Sequence, residues 1–389
     1  MFSLLRRLVP PVGWRWNPLD FTNPSFVCIP EYHKIEEETL PEYVASAYYS
    51  TRIGEVIRER YQVVGKLGFG STSTVWLARD LSARRHVMLK IFARTSFFGQ
   101  RVDHELEMYR RIERSPKGHP GRDAIRTLID TFDIDGPGDR HRCLVHPPLW
   151  ESTLTFLRRN PVERLPSAVL AMVLWRLFLA LDYLHTECEI VHTDVKADNI
   201  MLGINDDSVF SDFEEKELER PVPRKEVSPD GRLIYMSRDL RVPKNPNIYR
   251  TPEVIIRAPW TYSVDIWNVG CMIWDIYEGG SLFTGQDSEF QRYRSHAHLA
   301  EIINLLGPPP STLLAKRKMR GKFFTDKEEF RASHLLTDLV PLEERENTLE
   351  GEKERAAFLR LMRKMLQWEP SKRSSARELA EDEWIQSHV

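Results

Sequence analysis

Three polar side chains with complementary chemistry lie close together in residues 190–202, whose sequence is IVHTDVKADNIML. Asp194 can accept a proton, Lys196 can hold an anion, and Asn199 can offer an amide oxygen to a metal ion. Apolar residues flank this group, which predicts a loop between buried elements. One loop could therefore supply a base, a cation and a metal ligand, although a chance polar loop between two buried strands would give the same pattern.

With His192 two residues before Asp194, the spacing reads H-x-D-x-K-x-x-N, and the segment resembles the catalytic loop of protein kinases. The resemblance implies that Asp194 accepts the proton of a substrate hydroxyl and that Lys196 holds the transferring phosphate. It also implies that Asn199 binds a Mg²⁺ ion that bridges the phosphates of ATP. Thr193 stands where many kinases have arginine, so we expect no switching by activation-loop phosphorylation, as in a constitutively active family.

A glycine-rich turn lies between two β-rich runs in residues 61–79. Because a strand follows the glycines, the pattern predicts a hairpin and not the strand-to-helix junction of a dinucleotide-binding site. The resemblance implies a lid over the ATP phosphates, with Ser73 where the kinase pattern has its third glycine; an ordinary hairpin is the alternative. The predicted ATP contacts here are Leu67, Gly68, Phe69, Gly70, Ser71, Thr72, Ser73, Thr74 and Val75.

Lys90 lies in the apolar run VMLKIF, which resembles the V-A-I-K strand whose lysine binds the α and β phosphates. A lysine among apolar neighbours needs a partner for its charge. The next helical pattern, residues 103–113, offers Glu105 as the preferred partner and Glu107 as the alternative. Either acid could instead lie on a solvated helix face.

Residues 146–149, HPPL, end a β-rich run and align with the hinge between the two lobes of a kinase. The kinase pattern places one adenine contact at the Pro147 carbonyl and another at the Leu149 N–H. Each proline removes one backbone N–H, but neither of these contacts uses an N–H of Pro147 or Pro148, so both contacts can still form. His146 would stand at the back of the adenine pocket, and with no second histidine nearby in sequence a packing role is favoured over a metal-ligand or acid–base role.

A second metal-binding carboxylate should follow the catalytic loop in a D-F-G motif. The chain offers Asp212-Phe213-Glu214, thirteen residues past Asn199, a distance that fits a strand, a turn and a strand. The surrounding text resembles the segment that precedes D-F-G in fungal SR-protein kinases, yet residues 243–246 pass almost directly into NIYRTPE. Two interpretations stay open: the metal-binding Asp and much of the activation segment are deleted, or Asp212 is the metal ligand.

Beyond this gap, Thr251-Pro252-Glu253 resembles the A-P-E motif, and Asp265 opens an apolar helix that would anchor the catalytic loop. Glu253 is expected to form a buried pair with Arg373. The resemblance implies an α+β, bilobal protein kinase fold, with a small antiparallel β lobe carrying one helix, a larger mainly helical lobe, and Mg-ATP between them. The expected division is an N-terminal extension (1–60), the small lobe (61–148) and the large lobe (149–389).

Composition sets wider limits. A chain of 389 residues with 41% hydrophobic and 29% charged residues is typical of a soluble globular protein, and a net charge of −2 gives no global attraction to nucleic acid or membrane. The four cysteines form no C-x-x-C pair, so we expect neither zinc nor a disulfide framework, and a reducing, cytoplasmic or nuclear location. The longest apolar stretch, residues 168–184, contains Arg176 and Asp182, which predicts a buried helix.

Residues 308–354 fit the kinase insert between late helices, and within them residues 325–354 hold ten acids and four bases. This segment could attract an Arg-rich substrate, or it could be a solvated loop. The resemblance implies γ-phosphoryl transfer from ATP to Ser or Thr in Arg/Ser-rich proteins of the splicing type, by a monomer without nucleic-acid or membrane partners. The rivals are a pseudokinase scaffold or truncated gene product, and a small-molecule phosphotransferase; the peptide-substrate platform implied by Thr251-Pro252-Glu253 and Asp265 argues against the latter.

Overall fold

The computed structural model describes residues 15–41, 43–136, 139–159, 164–204, 208–227, 231–238, 261–314, 320–349 and 351–389. Its contacts separate two compact units. As far as these ranges are described, unit 1 comprises Met1–Arg110, Arg126–Trp150 and Gly203–Arg241, and unit 2 comprises Arg111–Ile125, Glu151–Leu202 and Val242–Val389. The division expected from the sequence therefore needs correction at two segments: 203–241 groups with the sheet of unit 1, and 111–125 groups with the helices of unit 2.

Unit 1 is built on a six-stranded antiparallel sheet with the order β1-β2-β3-β4-β6-β5. The strands are β1 (Val56–Ile57), β2 (Tyr61–Gly70), β3 (Ser73–Asp80), β4 (Arg85–Phe92), β5 (Asp130–Gly136) and β6 (Asp139–His146). Helix α1 (Thr95–Arg114) follows β4 in the chain. Alternate residues such as Tyr61, Val63, Trp76 and Val87 form the main core on one face of the sheet, because successive side chains of a strand point to opposite faces.

A second layer packs on this sheet. It consists of α4 (Ser208–Glu219) and a hairpin of β7 (Arg224–Val227) and β8 (Arg232–Tyr235). The N-terminal extension binds the hairpin: the Ile29 N–H donates to the Arg224 carbonyl (2.9 Å), and Lys225 Nζ pairs with Glu38 (2.7 Å). The described part of the extension is therefore an integral part of unit 1, which corrects the expectation of an extension ahead of the folded domain.

The acidic run Glu36-Glu37-Glu38 explains how the extension is fixed. Glu36 accepts hydrogen bonds from the Ser237 N–H (2.9 Å) and hydroxyl (2.7 Å). Glu37 forms a buried ion pair with Lys66 of β2, and Glu38 pairs with the hairpin as described above. Because each carboxylate has its own partner, a charge run of this kind orders the chain here instead of repelling itself.

Unit 2 is mainly helical. Its helices are α2 (Thr153–Arg159), α3 (Ser167–Thr186), α5 (Ser263–Glu278), α6 (Ser295–Leu306), α7 (Ser311–Leu314), α8 (Arg320–Phe323), α9 (Leu342–Arg345), α10 (Glu352–Met365), α11 (Ala376–Ala380) and α12 (Glu383–Gln386), with a two-stranded ribbon of β9 (Gln286–Asp287) and β10 (Arg292–Tyr293). A side chain at Gly270 of α5 would come within 3.0 Å of Leu366 and 3.2 Å of Met365. The glycine therefore permits the close packing of α5 on α10.

Among the described residues, α3 alone is long and apolar enough to cross a membrane by length and composition. Nine of its residues are buried within the protein, including Asp182. That carboxylate lies 3.0 Å from Arg377 Nε and 3.1 Å from His119 Nε2. A paired, buried carboxylate is expected of a core helix, as the sequence indicated.

Candidate active site

The loop of residues 190–202 brings its three polar side chains together in unit 2. Asn199 Nδ2 donates to the Asp194 carbonyl (2.8 Å) and to Asp194 Oδ2 (2.9 Å). Lys196 Nζ lies 3.4 Å from the same carboxylate oxygen, and the Asp194 side chain is 66% exposed. The predicted base, cation and amide therefore form one accessible cluster, in which the carboxylate can receive a proton from a molecule in solvent.

A buried carboxylate on α5 fixes the start of this loop. Asp265 accepts hydrogen bonds from the N–H groups of His192 (2.8 Å) and Thr193 (2.7 Å), and His185 Nε2 lies 2.9 Å from its Oδ2. Thr193 has a φ of 67°, in the left-handed region that β-branched residues rarely adopt. Asp265 holds that strained residue in place and so sets the direction of Asp194. The expectation that the α5 helix anchors the loop is confirmed.

The end of the loop is fixed by backbone contacts with the chain before α2. Thr153 donates to the Ile200 carbonyl through both its N–H (2.7 Å) and its hydroxyl (3.0 Å). The Leu202 N–H donates to the Glu151 carbonyl (2.9 Å). Between these anchors, Val195 and Ala197 are buried. The alternation of buried and polar residues therefore turns the polar cluster outward.

In unit 1, Lys90 and Glu105 form an ion pair. Lys90 Nζ lies 2.7 Å and 2.9 Å from the two carboxylate oxygens, with the side chains 26% and 32% exposed. The alternative partner, Glu107, lies instead 3.6 Å from Arg110 on the surface of α1. Register in the sheet places Lys90 opposite Val75 of β3 and Leu144 of β6. The predicted pairing with Glu105 is thus present, and the binding of ATP phosphates stays a prediction.

The glycine-rich segment forms the predicted hairpin between β2 and β3. Gly68 pairs with Val75, Phe69 with Thr74 and Gly70 with Ser73, so the turn residues are Ser71 and Thr72. Two irregularities in the register of β2 precede the turn. A strand follows the glycines, which excludes a dinucleotide-binding strand-to-helix junction.

The expected hinge carries a contact that the sequence did not indicate. Arg126 Nη2 donates to the Pro147 carbonyl (3.1 Å), so this predicted adenine contact already has a protein donor. Burial and the nearby Arg126 charge lower the pKa of His146 to about 4, which leaves the imidazole neutral. His146 Nδ1 lies 2.9 Å from the Thr127 carbonyl, which supports the packing role. Leu149 is half-buried at the end of this segment.

Asp212 does not lie in a strand-turn-strand segment. It is an exposed residue of helix α4 in unit 1, whose Phe210 and Phe213 pack with Val64 and Leu77 of the sheet. The adjoining Glu214 pairs with Arg79 (3.0 Å). The match to D-F-G is therefore part of a helix whose apolar residues face the sheet, and this corrects the local structure expected around Asp212.

The residues present fit a metal ion only in part. Mg²⁺ is usually held by one or two carboxylates together with phosphate oxygens and water. In the loop of unit 2, Asn199 and Asp194 offer an amide oxygen and a carboxylate, but no group of three His, Cys, Asp or Glu side chains in the described ranges could hold a metal. The predicted deletion near residues 243–246, the Thr251-Pro252-Glu253 motif and the partner of Arg373 all fall outside the described residues.

The acidic segment is partly accounted for by internal pairs. Glu346 is buried beside Arg355, Glu343 pairs with Arg363, and Glu354 accepts from the Ser167 hydroxyl (3.0 Å). Glu343 and Glu346 join α9 to α10, and Glu354 joins α10 to α3, so these three carboxylates are engaged within the protein. Other acids of the segment, such as Asp338 and Glu344, are exposed, and attraction of a substrate by them stays a prediction.

Comparisons with known proteins agree with this arrangement. Residues 61–385 match the family model described as the protein kinase domain. A serine/threonine protein kinase of Aspergillus fumigatus is 36% identical over 378 residues, which cover 90% of this chain and 91% of that protein. The serine/threonine-protein kinase SRPK of Physarum polycephalum is 28% identical, covering 90% and 91%, and the protein kinase dsk1 of Schizosaccharomyces pombe is 24% identical, covering 90% and 85%.

A solved structure of a kinase domain has the same fold. It is 20% identical, with a TM-score of 0.65, and the match covers 87% of this chain and 99% of that one. The α+β fold with an antiparallel sheet and a helical part, as expected from the sequence, is confirmed.

Proposed function

This chain belongs to the protein kinase family, as an SR-protein kinase-like serine/threonine kinase, and we propose that it phosphorylates Ser or Thr in Arg/Ser-rich proteins. One observation carries the catalytic part of the proposal. An exposed carboxylate, Asp194, lies beside Lys196 and Asn199 on a loop whose strained backbone is fixed by buried Asp265. This is the arrangement that phosphoryl transfer to a hydroxyl needs.

Each loop residue has a task in that reaction. The substrate hydroxyl oxygen forms a bond to the γ-phosphorus, the bond from that phosphorus to the bridging oxygen breaks, and ADP leaves. Asp194 accepts the hydroxyl proton, and Lys196 stabilises the negative charge of the transferring group. Asn199 restrains the Asp194 carboxylate through its 2.9 Å hydrogen bond. A bound divalent metal, proposed to be Mg²⁺, would neutralise phosphate charge.

Nucleotide binding falls to unit 1. Lys90 is held by Glu105 and is the cation proposed for the α and β phosphates. The β2–β3 hairpin supplies backbone N–H groups at Ser71 and Thr72 for the outer phosphates. The Leu149 N–H and the Pro147 carbonyl are the contacts proposed for the adenine edge, and the carbonyl, which accepts from Arg126, has a second lone pair for this contact.

The proposed substrate class rests on the SR-protein kinase resemblance and on local charge. Arg-rich sequences require acidic partners, and residues 325–354 carry an excess of acids in a protein whose net charge is only −2. Since several of those acids are paired internally, steering is assigned to the exposed ones. We further propose a monomer that acts in the cytoplasm or the nucleus and binds neither nucleic acid nor membrane.

The test is transfer of labelled γ-phosphate from ATP to an Arg/Ser-repeat peptide. A peptide in which every Arg is replaced by Gln is the matched control. The proposal predicts Mg²⁺-dependent labelling of the Arg/Ser peptide at least tenfold above the control. Equal labelling of both would support a serine/threonine kinase with another substrate class and reject the Arg/Ser preference.

A second function is favoured by the position of Asp212. With this residue exposed on a helix of unit 1, no group of three His, Cys, Asp or Glu side chains among the described residues could hold a metal, and the chain would then be a pseudokinase or truncated kinase that acts as a binding scaffold. The scaffold function predicts a folded protein that binds nucleotide or the Arg/Ser peptide without transferring phosphate. Calorimetric titration with ADP and with the peptide, beside the transfer assay, separates the two.

A further inference from the structure

A tyrosine of the N-terminal extension contacts the tip of the glycine-rich hairpin. The Tyr48 hydroxyl lies 2.9 Å from the Ser71 carbonyl and 3.3 Å from the Gly70 carbonyl. A single hydroxyl proton is shared between these two acceptors, with the shorter contact dominant. The Tyr48 residue is only 5% exposed and Ser71 is exposed, so a buried side chain contacts the exposed tip of the hairpin.

Because peptide groups are planar, the contact with the two carbonyls also fixes the direction of the Ser71 and Thr72 N–H groups. The Gly70 carbonyl shares a peptide plane with the Ser71 N–H, and the Ser71 carbonyl shares one with the Thr72 N–H; in a trans peptide the two groups point in opposite directions. Holding both carbonyls on one side therefore turns both N–H groups to the other. Within the described residues, neither N–H donates to a protein acceptor.

Tyr48 is itself held firmly. Its ring packs in a small core with Ala47 and Ala93, and its carbonyl accepts a hydrogen bond from Arg232 Nη1 (2.7 Å). The Arg94 N–H donates to the Ala47 carbonyl (2.7 Å), and the Ala93 N–H donates to the Thr72 carbonyl (2.8 Å). The N-terminal extension and the end of β4 therefore both form hydrogen bonds with the tip of the β2–β3 hairpin.

We propose that Tyr48 is a positioning residue for nucleotide, which orients the Ser71 and Thr72 N–H groups toward the outer phosphates. The inference rests on the proposed function, because it assigns the extension a role in the same nucleotide site. Two adjacent N–H groups that point to one side form an anion-binding concavity. Without the hydroxyl, these two carbonyls lose the donor that holds them, and phosphate binding must then order the two peptide planes.

The test compares Tyr48→Phe with Tyr43→Phe. Tyr43 packs against the same cluster, its ring centroid 5.2 Å from that of Tyr48, and its hydroxyl makes no hydrogen bond to the hairpin in the described structure. Phenylalanine keeps the ring and its packing, so both variants should melt like the parent. Amide hydrogen exchange without nucleotide is measured at residues 69–75 and at Ala93, and ADP and ATP-analogue affinities are measured by calorimetry.

The proposal predicts faster exchange at the hairpin tip in Tyr48→Phe alone, with nucleotide affinity about 3- to 10-fold weaker, as expected for one lost hydrogen bond. If the parent transfers phosphate, KM for ATP should rise by the same factor with kcat nearly unchanged. Exchange and affinity equal to the parent would overturn the proposal. If the parent binds no nucleotide, the proposed function fails, and the proposal with it, while the exchange result shows whether Tyr48 still restrains the hairpin.

Discussion

Asp265 Oδ1 accepts a 2.7 Å hydrogen bond from the N–H of Thr193, a β-branched residue with a φ of 67°. The contact joins the buried start of helix α5 to the residue just before Asp194. Strain at one backbone position is thereby balanced by a carboxylate that no solvent reaches. The direction of the proposed catalytic base depends on this pair.

Replacing Asp265 with Asn should uncouple the loop from the helix. The amide has one acceptor oxygen in place of two, so one N–H of His192 or Thr193 loses its partner in a buried site. We expect the free energy of unfolding to fall by about 1–3 kcal/mol. Phosphate transfer should fall at least tenfold at temperatures where the variant is folded. Denaturant titration and the transfer assay check both, and full activity in the folded variant would contradict the anchoring role.

Because Lys90 pairs with Glu105, we expect Glu105→Gln to lower the activity with ATP more than a substitution elsewhere on the same helix. Removing the carboxylate charge leaves Lys90 without its 2.7 Å partner, and the loss of a charge-assisted contact should lower kcat/KM for ATP about tenfold. Glu107→Gln is the matched control on the same helix, and should change kcat/KM less than twofold because Glu107 is on the surface. Similar losses in the two variants would reject the assignment of Glu105.

We expect substitution of Arg373 to destabilise the protein much more than substitution of its neighbour Lys372. Its guanidinium donates to the carbonyls of Gln367 (3.0 Å) and Ser263 (3.0 Å) and lies over the Trp267 ring at 4.9 Å. Arg373→Ala should lower the free energy of unfolding by about 3–5 kcal/mol, which is the cost of breaking the buried pair that the sequence predicts between Glu253 and Arg373. Lys372→Ala, at a 64% exposed side chain, should change it by less than about 0.5 kcal/mol. Chemical denaturation distinguishes them, and equal stability would contradict a buried Arg373 pair.

We expect Glu55 to make the free energy of unfolding depend on pH. Burial raises its pKa from 4.5 to about 7, so between these pH values the folded protein holds a proton that the unfolded chain releases. The sign follows from linkage: stability decreases as pH rises from 4.5 to 7. Glu55→Gln removes this term, and neutral His146 contributes equally to both proteins. The unfolding free energy of the parent minus that of the variant should therefore fall by about 1–3 kcal/mol across this range. A constant difference would contradict the raised pKa.

Local spacing predicted the hairpin and the Lys90–Glu105 pair because strand and helix periods fix which side chains meet. The hydrogen bonds of Arg126 to Pro147 and of Tyr48 to Ser71 carry no such local signal, since each joins segments about twenty residues apart in unrelated elements. The helix around Asp212, where a strand, a turn and a strand were expected, did have a signal in the sequence. Phe210, Phe213 and Glu217 recur at intervals of three and four, and all three face the interior of unit 1 to differing extents, which is a helical period and not a D-F-G turn.

The most direct test of the proposed activity is Mg²⁺-dependent transfer of labelled γ-phosphate to an Arg/Ser-repeat peptide by the parent, Asp194→Asn and Asp212→Asn. Both variants remove one exposed carboxylate charge and should leave the fold intact. We predict that Asp194→Asn lowers transfer at least a hundredfold, as expected for loss of the general base. Transfer that survives in Asp194→Asn, or a folded parent that transfers no phosphate, would contradict the proposed mechanism. Asp212→Asn then decides between the two open interpretations: loss of transfer would assign it to the metal, and retained transfer would exclude it.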